Sequence, residues 1–258
     1  MQTPNAEKSV TEDSAKATIL ERHYQAVIVT GASSGIGLAL SEHLLREGYS
    51  VYGVALNFES TTLKHERFHR REIDLAITDS ILPQFKTLLN SIDIPIRALI
   101  NNAGLGRMGY LEQLSAADIQ AVIDVNFLAQ ALVTKAVLPR MKQQELPSDI
   151  VFTGSEAALA GARQGSIYCA SKFAVRGFAQ SLREECAKSN LRITLVNPGA
   201  VRTEFFNDLH FEPGPDLENA ISAADIAQVV INVLNLPSTT VVDEINLSPL
   251  KPVWQRKP

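Results

Sequence analysis

Cysteine is nearly absent. Cys169 and Cys186 are the only two, and they form neither a CxxC pair nor a set with histidines at zinc-ligand spacing. A disulfide framework and a zinc site are therefore excluded, and a reducing, cytoplasmic setting is expected. Nor is there an excess of one charge: 24 Lys+Arg against 28 Asp+Glu leaves no basic field of the kind that concentrates nucleic acid or anionic membrane. No apolar run approaches the roughly 20 residues that span a bilayer, so a soluble protein is expected. Residues 1–22 lack both the apolar core of a secretory signal and the acid-poor character of a transit peptide, and they read as a disordered extension. Repeats and low-complexity runs are also missing. The 258-residue length does not require a second domain, and residues 23–258 read as one.

What is present is an alternation of short β-branched runs with longer helical patterns. A strand at 26–30, a helix at 35–47 and a strand at 50–55 make a βαβ unit with a right-handed crossover. Further strands are expected near 68–73, 97–101, 149–154, 191–197 and 240–246. Near-continuous apolar strands such as Ala98-Leu99-Ile100 are expected where helices cover both faces of a sheet, which gives a doubly wound α/β architecture. A helix over 115–141 opens at Ser115 with Asp118 three residues on, a capping pattern, and Pro139 and Pro147 punctuate its end.

The first strand leads into Thr30-Gly31-Ala32-Ser33-Ser34-Gly35-Ile36-Gly37, and the helix begins inside this turn. Glycines there let the backbone approach a pyrophosphate, which the free N–H groups of the helix N-terminus then stabilise. The spacing departs from Gly-x-Gly-x-x-Gly and lacks the lysine of a Walker loop. Asn101-Asn102-Ala103-Gly104 follows a buried strand, and its amides can tie strands together or face a ligand. Asp74-Leu75 ends the third strand.

Ser155 follows a strand, and thirteen residues on comes Tyr168-Cys169-Ala170-Ser171-Lys172. Tyr168 and Lys172 stand four apart and share a helical face. A phenol is a poor base at neutral pH, and a neighbouring ammonium lowers its pKa toward useful values. A serine hydroxyl can steady a substrate oxygen as negative charge develops on it. Asn197-Pro198-Gly199-Ala200-Val201-Arg202-Thr203 ends the sixth strand, where ligands collect in open α/β sheets.

In this order, the glycine turn, Asn-Asn-Ala-Gly and the Ser, Tyr and Lys set resemble the short-chain dehydrogenases/reductases over about residues 24–250. The resemblance implies a Rossmann-like doubly wound, mostly seven-stranded parallel sheet. It also implies a hydride-transferring enzyme using NAD or NADP on a small carbonyl or secondary alcohol, such as a ketone, aldehyde or hydroxy acid. Tyr168 would carry the proton, Lys172 would also contact the nicotinamide ribose, Ser155 would steady the oxygen, and Asn126 would hold a water linking Lys172 to solvent. Gly31, Ser33, Ser34, Gly35, Ile36 and Gly37 would hold the phosphates. Asn57, Asp74, Leu75, Asn102, Ala103 and Gly104 would lie along the adenosine side, and Pro198, Gly199, Val201 and Thr203 along the nicotinamide. A homotetramer or homodimer through the helices near 115–141 and 166–188 is the expected assembly.

At the end of the second strand Ala55 and Leu56 replace the acid of NAD users and the arginine of many NADP users, an arrangement that favours NADP over NAD. The basic stretch 64–71 is either a phosphate clamp or a solvated edge. Phe205, Phe206 and Phe211 suit either a lid over a partly apolar pocket or a plain packed loop, with Arg107, Met108, Tyr110 and residues 159–163 as further candidate walls. Arg163 or Arg202 could pair with a substrate carboxylate. A regulatory cofactor-binding protein and an isomerase or dehydratase remain alternatives on the same fold.

Overall fold

In the computed structural model, which describes residues 21–257, the apolar runs become the strands of one sheet. The main elements are β1 (Ala26–Thr30), α1 (Gly35–Arg46), β2 (Ser50–Ala55), β3 (Phe68–Glu72), α2 (Thr78–Asn90), β4 (Ile96–Asn101) and α3 (Ala116–Ile123). They continue with α4 (Ala129–Gln143), β5 (Ser148–Thr153), α5 (Ser166–Cys186), β6 (Leu191–Pro198), α6 (Ala223–Leu234) and β7 (Glu244–Leu247). The seven strands are all parallel in the order β7-β6-β5-β4-β1-β2-β3. Winding reverses between β1 and β4, so a crevice opens outside their carboxyl ends.

Burial on both faces explains the apolar strands. Ala26 and Ile28 of β1 pack with Phe85 of α2, Val133 of α4 and Val175 of α5, while Val27 and Val29 pack with Leu40 of α1 and Val230 of α6. The opposite end of the sheet is tied by charge. Asp149 on β5 is fully buried, accepts two hydrogen bonds from Arg192 at 2.7 and 2.9 Å, and pairs also with Arg97 of β4. Arg192 further donates to the carbonyls of Leu234, Leu236, Pro237 and Thr240, which holds the end of α6 against the sheet.

Several expectations are corrected. The last strand begins at Glu244, because Thr240 instead closes a turn onto Pro237. The capping box at Ser115 is present, yet the helix it starts passes through a π turn at Asp124–Leu128. Pro139 lies inside α4 at an exposed position, and packing of Val133, Val137 and Met141 carries the helix on to Gln143. The run Ala116–Gln143 is also long and apolar enough, by length and composition, to cross a membrane, with mean hydropathy 1.5 over 18 residues. Its apolar character follows from packing: Val122, Ala129, Val133 and Val137 are fully buried. Of the proposed extension, residues 1–20 lie outside the described residues, but Arg22 belongs to the fold, paired with Glu47 and stacked over Tyr49.

Candidate active site

The turn after β1 is shaped by its glycines. Gly31 and Gly35 have φ of 68° and 51°, a conformation that costs glycine little. A side chain on Gly37 would overlap the Gly31 carbonyl oxygen, so Gly37 lets α1 close onto β1 from behind and does not itself line the cleft. Ser115 and Ser222 cap their helices by side-chain hydrogen bonds, whereas Ser34 makes no such bond at the start of α1 and the first turn carries no acid. That helix N-terminus opens, with Gly31, Ser33, Ser34, Gly35 and Ile36, into a cleft of about 1250 Å³. The volume exceeds the roughly 300–1,000 Å³ of a single small-ligand pocket. Uncapped N–H groups and a close-approach glycine turn fit the diphosphate of a nicotinamide dinucleotide.

Asn102 is chiefly a strand tie that also faces the cleft. Its amide donates to the Thr30 carbonyl at 3.1 Å and its Oδ1 accepts from Thr153 at 3.3 Å, while Thr30 Oγ1 accepts from the N–H groups of Asn102 and Ala103. Ala103, Gly104, Ala55, Leu56, Asp74 and Leu75 complete that side of the cleft. Asn57 does not: it is exposed, and its Oδ1 accepts from Glu59 N–H at 3.3 Å in a local turn. The basic stretch is likewise absent from the lining, since Arg70 lies over Phe58 and Phe68, Arg71 reaches Ser91, and His69 stacks on Tyr52 at 4.5 Å. A phosphate clamp there is overturned.

Beyond the glycine turn, β5 delivers Ser155 and one face of α5 delivers Tyr168 and Lys172 to the same cleft. Tyr168 is 8% exposed and Lys172 4%. Lys172 Nζ donates to the Thr153 carbonyl at 3.0 Å and lies 5.8 Å from the Tyr168 ring centre. The expected lowering of the phenol by lysine is not what this arrangement produces. Burial pushes the Tyr168 pKa up to about 12, against which the Ser155 hydroxyl acts, and burial brings Lys172 down to about 8. Desolvation acts on both groups at once and is the largest cause for each.

Asn126 lies within the π turn, fully buried behind the cleft wall. Its Oδ1 accepts from Leu105 N–H at 2.8 Å, and its Nδ2 donates to Leu105 O and Ser171 Oγ at 3.0 and 3.1 Å. It thus fixes the loop after β4 to α5. Pro198, Gly199, Val201 and Thr203 line the end of β6, and Thr203 packs its methyl against Gly35.

On the remaining side Phe205 packs against Tyr168 with ring centres 5.8 Å apart and covers Gly106. Phe206, Phe211 and Trp254 extend this aromatic wall. Trp254 arrives on a short strand, Trp254–Arg256, paired antiparallel with Phe211–Pro213. Arg202 is removed from consideration as a carboxylate partner: it donates to Gly214 O and Asp216 O and does not line the cleft. Arg107 and Tyr110 also stand outside the lining, whereas Met108 and Arg163 belong to it, the latter bonded to the Tyr110 hydroxyl. Sequence reasoning missed Glu156, Trp254 and Arg256 as cleft residues. Only the uniqueness of Trp254, the single tryptophan, could have drawn notice.

The chain has close counterparts. The family model described as short chain dehydrogenase matches residues 25–212. Human retinol dehydrogenase 8 is 34% identical over 190 residues, a match spanning 69% of this chain and 60% of that protein. Sepiapterin reductase of Chlorobaculum tepidum is 31% identical over 250 residues, covering 86% of this chain and 95% of that one. The structure of an alcohol dehydrogenase from the archaeon Thermococcus sibiricus, complexed with 5-hydroxy-NADP, superimposes with a TM-score of 0.79 at 27% identity over 91% of this chain and 99% of its own. The seven-stranded doubly wound sheet and these matches together establish that the chain belongs to the short-chain dehydrogenase/reductase family of NAD(P)-dependent oxidoreductases.

Proposed function

We propose that the protein reduces a neutral, largely apolar ketone or aldehyde, or oxidises the matching alcohol, with NADP favoured over NAD. The observation that carries this reading is the convergence of Ser155, Tyr168 and Lys172 at the end of the glycine-turn cleft, beneath the Phe205, Phe206, Phe211 and Trp254 wall. Tyr168 is the proton carrier. With a pKa of about 12 it is fully protonated at neutral pH, and so is ready to donate to an oxygen on which charge develops. Ser155 hydrogen-bonds that oxygen and Lys172 supplies positive charge beside it. Asn126 is a positioning residue, acting through Leu105 and Ser171. When bound, the nicotinamide supplies or accepts the hydride. Gly31 and Ser33 to Ile36 would hold the diphosphate of the cofactor, and Pro198, Gly199, Val201 and Thr203 its nicotinamide end.

The NADP preference rests on Ala55 and Leu56, which bring no carboxylate against a ribose phosphate. The apolar substrate rests on the aromatic wall and is in keeping with the name of the human retinol dehydrogenase relative. Residues 23–258 are proposed as one catalytic domain that assembles as a homotetramer, or a homodimer, through the α3–α4 stretch and α5. Phe173 on α5 is 43% exposed, and the adjoining Gly177 face is open. Two unpaired thiols suit a cytoplasmic setting. The test is NADPH or NADH mixed with a panel of neutral ketones, followed by loss of the reduced cofactor's absorbance. Turnover favouring NADPH is expected. Cofactor binding without turnover of any ketone would instead favour a regulatory role.

A further inference from the structure

Next to Ser155 the chain places a carboxylate that none of these roles uses. Ser155 opens the short helical turn Glu156–Ala158, accepting from Ala157 N–H at 3.1 Å, and Glu156 lines the cleft beside it. Its Oε2 lies 2.8 Å from where a side chain on Gly199 would sit, so it reaches from the end of β5 toward the end of β6. Among the described residues no cation or hydrogen-bond donor is paired with it, and burial alone raises its pKa above the usual carboxylate value.

The neighbouring groups leave it alone for stated reasons. Lys172 donates to Thr153 O, and Asn197 Nδ2 is engaged with Glu244 and Asn246. Of the other acids in the lining, Asp74 accepts from Ala76 N–H on the adenosine side and Glu204 reaches toward Gly35 at the glycine turn. Glu156 is close enough to Tyr168 that its charge helps keep the phenol protonated. Glu156 is exposed to the cleft, so its charge meets an incoming ligand there, and a donor on that ligand can replace the water that solvates it. Two arginines share the cleft lining: Arg163, which is engaged with Tyr110, and Arg256, on the short strand that carries Trp254. Arg202 is tied to backbone outside the cleft, and Glu156 is the charged residue that directly follows Ser155 in the chain.

We propose that Glu156 sets the charge selectivity of the substrate site, accepting a hydrogen bond from a hydroxyl or ammonium next to the reacting carbon and rejecting a carboxylate there. This deepens the oxidoreductase reading and rests on it. It also turns away from the hydroxy-acid class that the sequence left open. Like charges within a few ångströms disfavour binding by about tenfold.

Three aromatic ketones that differ only beside the carbonyl test it: phenylglyoxylate, its methyl ester, and protonated phenacylamine (2-amino-1-phenylethanone). The wild-type protein should reduce the ester and the ammonium ketone with kcat/KM about tenfold or more above the carboxylate. Glu156→Gln should shrink that gap to about threefold or less by raising the carboxylate's kcat/KM, with the Kd for NADPH unchanged. The wild-type gap should also narrow as pH falls toward the raised Glu156 pKa. An equal gap in Glu156→Gln, or a wild-type preference for the carboxylate, would overturn the proposal. Binding of the same ketones to Tyr168→Phe protein loaded with NADPH, read by cofactor fluorescence, gives the same ordering without chemistry. Correct ordering with no turnover by the wild type would sink the oxidoreductase reading alone; wrong ordering sinks the role of Glu156.

Discussion

Replacing Lys172 with methionine should stabilise the cofactor-free protein while abolishing turnover. Lys172 is 4% exposed, and its hydrogen bond among the described residues goes to the neutral Thr153 carbonyl. Burial lowers its pKa from 10.5 to about 8, which corresponds to about 3 kcal/mol of unfavourable free energy for the charged form at neutral pH. Methionine keeps most of the side-chain volume and removes the charge, but it forfeits a charge-assisted hydrogen bond of about 1.5–3 kcal/mol. A net gain of up to about 1.5 kcal/mol follows, or a rise in Tm of about 2–4 °C per kcal/mol for a chain of this size. The pH dependence has a definite sign. Between about 8 and 10.5 the unfolded chain binds more protons at this lysine than the native one, so wild-type stability rises with pH across that window relative to the variant. Urea unfolding of both proteins at several pH values measures this. A Lys172→Met protein less stable than wild type by about 1 kcal/mol or more at neutral pH, or a difference that does not change with pH, would refute the reasoning.

Gly37→Ala should weaken cofactor binding and stability together, because the added methyl overlaps the Gly31 carbonyl and the turn must shift. A loss of about 1–3 kcal/mol in urea unfolding, with a raised Kd for NADPH by fluorescence titration, is expected. Asp149→Asn should cost about 3–5 kcal/mol by the same unfolding assay, since it leaves Arg192 and Arg97 without their buried counter-charge. Its Kd for NADPH, measured where the variant is folded, should hardly change, because Asp149 sits at the far end of the sheet.

The central strands were legible because they are buried on both faces, so β1 and β6 read directly as continuous hydrophobic stretches, whereas the edge strands β3 and β7 are partly exposed and more polar. The glycine turn and the Tyr168 and Lys172 face were legible because their spacing is local. What escaped the sequence depends on contacts between distant residues. The strand at Trp254–Arg256 is three residues long and exists only through pairing with Phe211–Pro213. Arg202 looks like an anion binder until the carbonyls of Gly214 and Asp216 claim it. Asn57 lies one residue beyond the lining residue Leu56, and its side chain is taken up by the local turn to Glu59. The phenol's pKa was misjudged because spacing reveals that Lys172 is near Tyr168, but not that both are desolvated.

The central claim is that Tyr168 carries the proton in a nicotinamide-dependent reduction. Its most direct test is single-turnover reduction of a neutral aromatic ketone by NADPH, comparing wild type with Tyr168→Phe. The account predicts turnover by the wild type, a rate lowered by about 10²–10⁴-fold in the variant, and an unchanged Kd for NADPH. A Tyr168→Phe protein that reduces the ketone at the wild-type rate would contradict it.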